Sequence, residues 1–90
     1  MSIEFTPNAW EDFNYWIKYD KIKADKITEL IRSIRQDPFN GIGSPEPLRH
    51  ELQGFWSRRI DYEKRLVYRV IGTKGKDQKI QIIQCRFHYK

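Results

Sequence analysis

The hydrophobic pattern changes period near Gly54, and in a chain of 90 residues that change excludes most folds. Before it, apolar side chains recur at helical spacing. In "PNAWEDFNYWIKYD" the stripe is Trp10, Phe13, Trp16 and Ile17. In "KIKADKITELIRSIRQD" it is Ile27, Leu30, Ile31 and Ile34, with Lys26, Arg32 and Arg35 turned outward. After Gly54, "FWSRRID", "RLVYRVI" and "KIQIIQCRFHY" alternate with a period of two, as strands do.

The segment ends agree with these periods. Thr6 is placed to cap the first helix with Pro7 at its first position, and Glu11 and Asp12 fall in the early turns, where the helix dipole favours them. Asp37-Pro38 stops the second helix. "SIEFT" (2–6) reads as a first strand, and residues 38–52, with Gly41, Gly43, Pro45 and Pro47, read as irregular. The turn "DYEK" and the looser "GTKGKDQ" join the last three strands as antiparallel hairpins. The expected architecture is one α+β domain over residues 1–90, ordered strand-helix-helix-strand-strand-strand. Both helices pack on one face of a twisted, mainly antiparallel sheet. A chain this short buries roughly 60% of its unfolded surface. Trp10, Phe13 and Trp16 are therefore expected in its single core, not on an exposed stacking platform. Phe55 and Trp56 alternate along one strand, so at most one of them faces away from the helices.

Charge narrows the partners. The net charge is +5, but residues 1–37 sum to −1 and residues 38–90 to +6, with five arginines between Arg49 and Arg69. A one-sided basic field favours a polyanion, RNA or DNA first. The single cysteine, Cys85, excludes an intramolecular disulfide and fits a reducing cytoplasm; it is expected to be a small buried hydrophobe. The start "MSIEFTPNAWED" has no basic segment followed by an apolar stretch, so no signal peptide is expected, and no apolar run approaches the ~18 residues of a membrane span.

The chemistry gathers around "SPEPLRHEL" (44–52), where Glu46 lies between Pro45 and Pro47 and is followed by Arg49 and His50. Prolines on both sides stiffen the loop and disfavour its continuing as strand or helix. Arg58 and Arg59, Arg65 and Arg69, and the ending "RFHYK" supply the other polar groups. Alternation puts Arg65, Val67 and Arg69 on one strand face and Leu66, Tyr68 and Val70 on the other, the better core face. Arg58 points opposite to Arg59 and is left off the site. One cysteine, two histidines and scattered carboxylates have no metal-ligand spacing, so neither metal nor cofactor is expected. Ser57 and Cys85 lie in strands without a nucleophile motif. Metal-free RNA cleavage fits better. A base takes the ribose 2′-OH proton, arginines stabilise charge on the phosphate, and an acid protonates the leaving 5′ oxygen.

"DPFNGIGSPEPLRHELQGFWSRRIDYEKRLVYRV", the ending "CRFHY" and "WEDFNYW" near the start resemble the YoeB-type toxins of the RelE/ParE superfamily, members of bacterial toxin–antitoxin pairs. The resemblance spans nearly the whole chain. It implies a microbial-RNase-like fold and cleavage of mRNA in the A site of the 70S ribosome. It also implies inhibition by a cognate antitoxin whose disordered segment wraps the toxin, and it suggests a homodimer. Carried over by position, Glu46 is the general base, His88 the general acid and Arg65 the phosphate clamp. Tyr89 orients the scissile group, and Arg49 and Arg59 are supporting phosphate contacts. The chain departs from the family pattern in having Arg49 where lysine is expected, Lys90 after Tyr89, and a long "GTKGKDQ" connection. His50 is assigned to structure or to a supporting hydrogen bond. The competing function on a similar fold is ParE-like, non-enzymatic inhibition of DNA gyrase. A plain RNA-binding module would account for the arginines but not for the proline-flanked glutamate.

Overall fold

Thr6 ends the first strand and starts the first helix. Its side-chain oxygen accepts the Ala9 amide at 3.2 Å while its hydroxyl donates to the Ile83 carbonyl at 3.1 Å, so one residue caps the helix and ties it to the last strand. The computed structural model describes residues 1–87. The chain runs β1 (Ser2–Phe5), α1 (Pro7–Tyr19), α2 (Lys21–Gln36), β2 (Glu46–Pro47), a 3₁₀ turn at His50–Leu52, β3 (Trp56–Arg59), β4 (Arg65–Ile71) and β5 (Lys79–Gln84). The sheet order is β1-β5-β4-β3-β2. Strand β1 pairs with β5 in parallel and every other pairing is antiparallel. Both helices cover one face of this open sheet, and Ala9, Trp16, Ala24, Ile27, Leu30 and Ile34 meet Leu66, Tyr68, Ile80 and Ile82 in the core.

Three expectations need correction. Residues 38–52 are not all irregular, because Glu46 and Pro47 form a two-residue edge strand opposite Ser57 and Trp56. Pro47 is tolerated because an edge strand has one side without a ladder partner. Trp10 is 53% and Ile17 49% exposed. The buried positions of α1 are Ala9, Asp12 and Trp16, a stripe that leaves Trp10 and Ile17 turned to its side. Trp10 instead packs edge-on against Phe5 at 5.5 Å. Asp12, expected only to suit the helix dipole, is also buried and accepts the Cys85 amide at 3.1 Å. For the same reason β5, expected to run on through "CRFHY", stops at Gln84, and the described residues 85–87 leave the ladder. The Cys85 amide goes to Asp12 and its carbonyl accepts Trp16 Nε1 at 2.8 Å, so neither group remains for a sheet ladder.

The alternation on β4 holds. Leu66 and Tyr68 are fully buried on the helix side, while Arg65 and Arg69 are partly exposed on the other. Cys85 is fully buried as expected, and burial, reinforced by the neighbouring Asp12 carboxylate, pushes its thiol up to about 12. Among the described residues no helix is long and apolar enough to cross a membrane.

Candidate active site

Glu46 is placed by backbone, not by its prolines alone. It pairs with Ser57 across β2 and β3. On one side the Arg59 amide donates to the Gly43 carbonyl at 2.7 Å, and on the other the Leu48 amide donates to the Phe55 carbonyl at 2.9 Å. The short edge strand is thus fastened at both ends. Ser44 just before it and His50 just after it both hold positive φ, 52° and 58°, which is uncommon for residues with a side chain.

The arginine beneath this loop explains its shape. Arg58 is completely buried, and all five of its N–H groups are used. Nε donates to the Tyr68 hydroxyl at 3.2 Å; Nη1 donates to Ser33 Oγ at 2.8 Å and the Ile42 carbonyl at 3.0 Å; Nη2 donates to the carbonyls of Asp37 at 2.7 Å and Asn40 at 3.2 Å. The Tyr68 hydroxyl in turn donates to the Pro38 carbonyl. One guanidinium therefore gathers the chain from Asp37 to Ile42 against α2 and β4. Gly41, at φ +135°, lets the loop come this close, since a Cβ there would approach Arg58 Nη1 to 2.9 Å. Arg58 is not part of the site but holds the loop that leads to it.

The opposite face carries the charge. Arg59 is exposed and lies directly across from Arg65 in the β3–β4 ladder. Glu46, Ser57, Arg59 and Arg65 line one cleft of about 240 Å³, with Ser44, Pro45 and Pro47 as its rim. Arg49 and His50 belong to a neighbouring cleft of about 450 Å³ formed by residues 46–52, and Glu46 lines both. The structure thus brings together Glu46, Arg59 and Arg65, and places Arg49 on the far side of the glutamate. Arg65 is oriented by its own turn: Nη1 donates to the carbonyls of Asp61, Tyr62 and Lys64, each at 3.1 Å. Its backbone amide donates to the Phe87 carbonyl at 3.3 Å, which brings the end of the described chain to the mouth of the cleft. His88 and Tyr89 lie outside the described residues. A carbonyl-anchored arginine, Arg65, and the exposed Arg59 beside it, both lining a cleft with a carboxylate, can hold an anionic, planar-oxygen group next to a proton acceptor.

The family profile described as YoeB-like toxin of bacterial type II toxin–antitoxin systems matches residues 5–89. The chain belongs to this family. It is 51% identical to a toxin YoeB of Mycobacterium bovis over 88 residues, 98% of each chain. It superposes on a YoeB/ParE toxin from Agrobacterium tumefaciens with a TM-score of 0.93 at 45% identity, covering 99% of this chain and 100% of that one. It also superposes, with a TM-score of 0.85 at 43% identity, on the toxin in a heterotetrameric YoeB–YefM toxin–antitoxin complex from Staphylococcus aureus, over 99% of this chain and 98% of that one.

Within this YoeB-like fold, three groups that sequence reasoning left without a part in the site acquire a defined place. Ser57 is buried at the floor of the cleft opposite Glu46, a position set by sheet register. Arg69 donates from Nε to Gln81 at 2.8 Å, Gln81 donates to Glu4 at 2.6 Å, and Lys79 reaches the other Glu4 oxygen at 2.6 Å. Those bonds tie Arg69 towards β5 and β1, with its guanidinium over Phe55 at 5.2 Å, and it does not line the Glu46 cleft. Asp61 accepts the Lys64 amide at 2.6 Å and the Glu63 amide at 2.8 Å and meets Lys23 at 3.2 Å. The Lys64 amide above all holds its carboxyl below the usual range. The spacing of Asp61 in "DYEK" was a legible signal for such a turn.

Proposed function

We propose that this type II toxin is a ribosome-dependent, metal-independent endoribonuclease that cuts mRNA in the A site. The observation that carries the proposal is the cleft in which Glu46 faces the cross-strand pair Arg59 and Arg65. A protein that merely blocks another needs arginines on its surface but has no use for a carboxylate fixed opposite them.

Glu46 takes the proton of the ribose 2′-OH, and the oxygen attacks the adjacent phosphorus. The bond from phosphorus to the 5′ oxygen breaks as a 2′,3′-cyclic phosphate forms, and His88 protonates the departing oxygen. Arg65 clamps the phosphate, with Arg59 and Arg49 as further phosphate contacts, and Tyr89 orients the scissile group. The bond between the Arg65 amide and the Phe87 carbonyl supports the assignment of His88, the next residue in the chain, to this cleft. The partners are the 70S ribosome with its mRNA, in the cytoplasm, and a cognate antitoxin. The antitoxin is supported by the similarity to a toxin solved with YefM. DNA lacks the 2′-OH and cannot react this way.

The test is a reconstituted translation reaction with EDTA-treated protein and end-mapping of the cut mRNA. The upstream product is expected to end in a cyclic or 3′-phosphate and the downstream product to begin with a 5′-OH. A 2′-deoxy nucleotide at the scissile position should block cutting. Glu46→Gln should slow single-turnover cleavage by about 10²–10⁴. Products with 5′-phosphates, or gyrase inhibition in place of cleavage, would rule the proposal out.

A further inference from the structure

We propose that Tyr62 is a nucleobase-stacking residue, seating the base of a nucleotide that flanks the cleaved phosphate; this rests on the ribonuclease function above. Tyr62 is the most exposed large hydrophobic side chain among the described residues, at 88%. It stands at the edge of a third cleft, of about 350 Å³, formed by Arg59, Tyr62, Glu63 and Arg65. Arg59 and Arg65 also line the Glu46 cleft. The two arginines are thus a shared wall, with the carboxylate on one side and the tyrosine ring on the other. A phosphate held at that wall places the neighbouring nucleoside at Tyr62.

The backbone under the ring is unusually well fixed for a surface turn. Ile60 donates to the Lys64 carbonyl at 2.9 Å and closes the turn. Asp61 takes the amides of Glu63 and Lys64 and is itself tied to Lys23 on α2. The Tyr62 carbonyl accepts Arg65 Nη1 at 3.1 Å, so the turn that presents the ring and the guanidinium are coupled directly. No other aromatic ring or cation among the described residues stacks on Tyr62. An exposed aromatic ring on a hydrogen-bonded turn beside phosphate-binding arginines is an arrangement that single-stranded RNA recognition uses, because every base has a π-face.

The experiment compares wild type, Tyr62→Ala and Tyr62→Phe on ribosome-bound mRNA carrying a single abasic nucleotide at successive positions around the scissile phosphate. On intact mRNA, Tyr62→Ala should lower kcat/KM by about 5- to 100-fold, the range of one lost base–aromatic stack. Tyr62→Phe, which keeps the ring, should stay within about 2-fold of wild type by the same stacking logic. At one abasic position the wild type should fall to the level of Tyr62→Ala, with no further loss when both changes are combined. Full activity of Tyr62→Ala, or losses that multiply at every abasic position, would overturn the stacking role while leaving the ribonuclease intact. A wild type that cuts no mRNA at all would overturn the ribonuclease function and the stacking role with it. Because the ring is exposed, circular dichroism of Tyr62→Ala should match wild type, so lost cleavage reports on RNA and not on folding.

Discussion

Arg58 and Arg59 are neighbours in sequence, and replacing each by alanine should give opposite results. Arg58→Ala removes five hydrogen bonds from a charged donor, and it leaves the carbonyls of Asp37, Asn40 and Ile42 with the Tyr68 and Ser33 hydroxyls to find new partners. Hydrogen bonds to charged groups contribute about 1.5–3 kcal/mol each. The guanidinium, however, gave up its hydration to be buried, and water can reach the loop carbonyls once it is gone, so the sum overstates the loss. A net destabilisation of about 3–5 kcal/mol is expected, at the upper end for single substitutions. Chains of this size have only about 5–13 kcal/mol in total. The thermal midpoint should therefore drop by roughly 12–40 °C at about 4–8 °C per kcal/mol. Arg58→Lys should recover only part, since one ammonium cannot span the loop, α2 and β4 together. Arg59→Ala, at an exposed position, should change stability by less than about 0.5 kcal/mol while weakening cleavage. Urea unfolding followed by tryptophan fluorescence measures both. A difference between the two variants of less than about 1 kcal/mol would show that the buried network contributes no more than its desolvation costs.

The other predictions concern the site and its supports. Arg65→Lys keeps the charge but loses the planar fork, so ribosome binding should persist while most mRNA cleavage is lost; undiminished turnover would mean attraction alone suffices. The lowered carboxyl of Asp61 stabilises the fold above the usual value of 3.8, and that contribution disappears as pH falls through its lower folded value. Asp61→Asn should therefore lose stability at neutral pH and show a shallower decline below pH 3.8 in pH-dependent melts, whereas an unchanged slope would contradict the turn's role. With its thiol buried and raised to about 12, Cys85 should resist iodoacetamide at pH near 8 until the protein unfolds. Rapid native alkylation by mass spectrometry would show that the α1–β5 junction opens.

The sequence by itself determined the elements and the side of each strand its residues take. Helical and alternating periods are local, and they read Ile27, Leu30 and Ile34 as core and separated Arg59 from Arg58 and Arg65 from Leu66 without any knowledge of distant contacts. Glu46 stood out by its flanking prolines and the arginines by their number, while their roles came from the family resemblance alone; His88 and Tyr89 lie outside the described residues. Only the tertiary structure decided what covers each side. Arg58 is a buried clamp because Ser33 and the carbonyls of residues 37–42 come to it from another element. Asp12 and Trp16 end β5 because they meet Cys85 from the far side of the sequence. Trp10, whose spacing fits a core stripe, stays half in solvent because the sheet meets α1 along Ala9, Asp12 and Trp16. Even the two-residue strand that holds Glu46 exists because β3 offered an edge to pair with. Periodicity records how a residue faces its own strand or helix, whereas burial and pairing depend on which distant segment arrives there, and no local pattern carries that information.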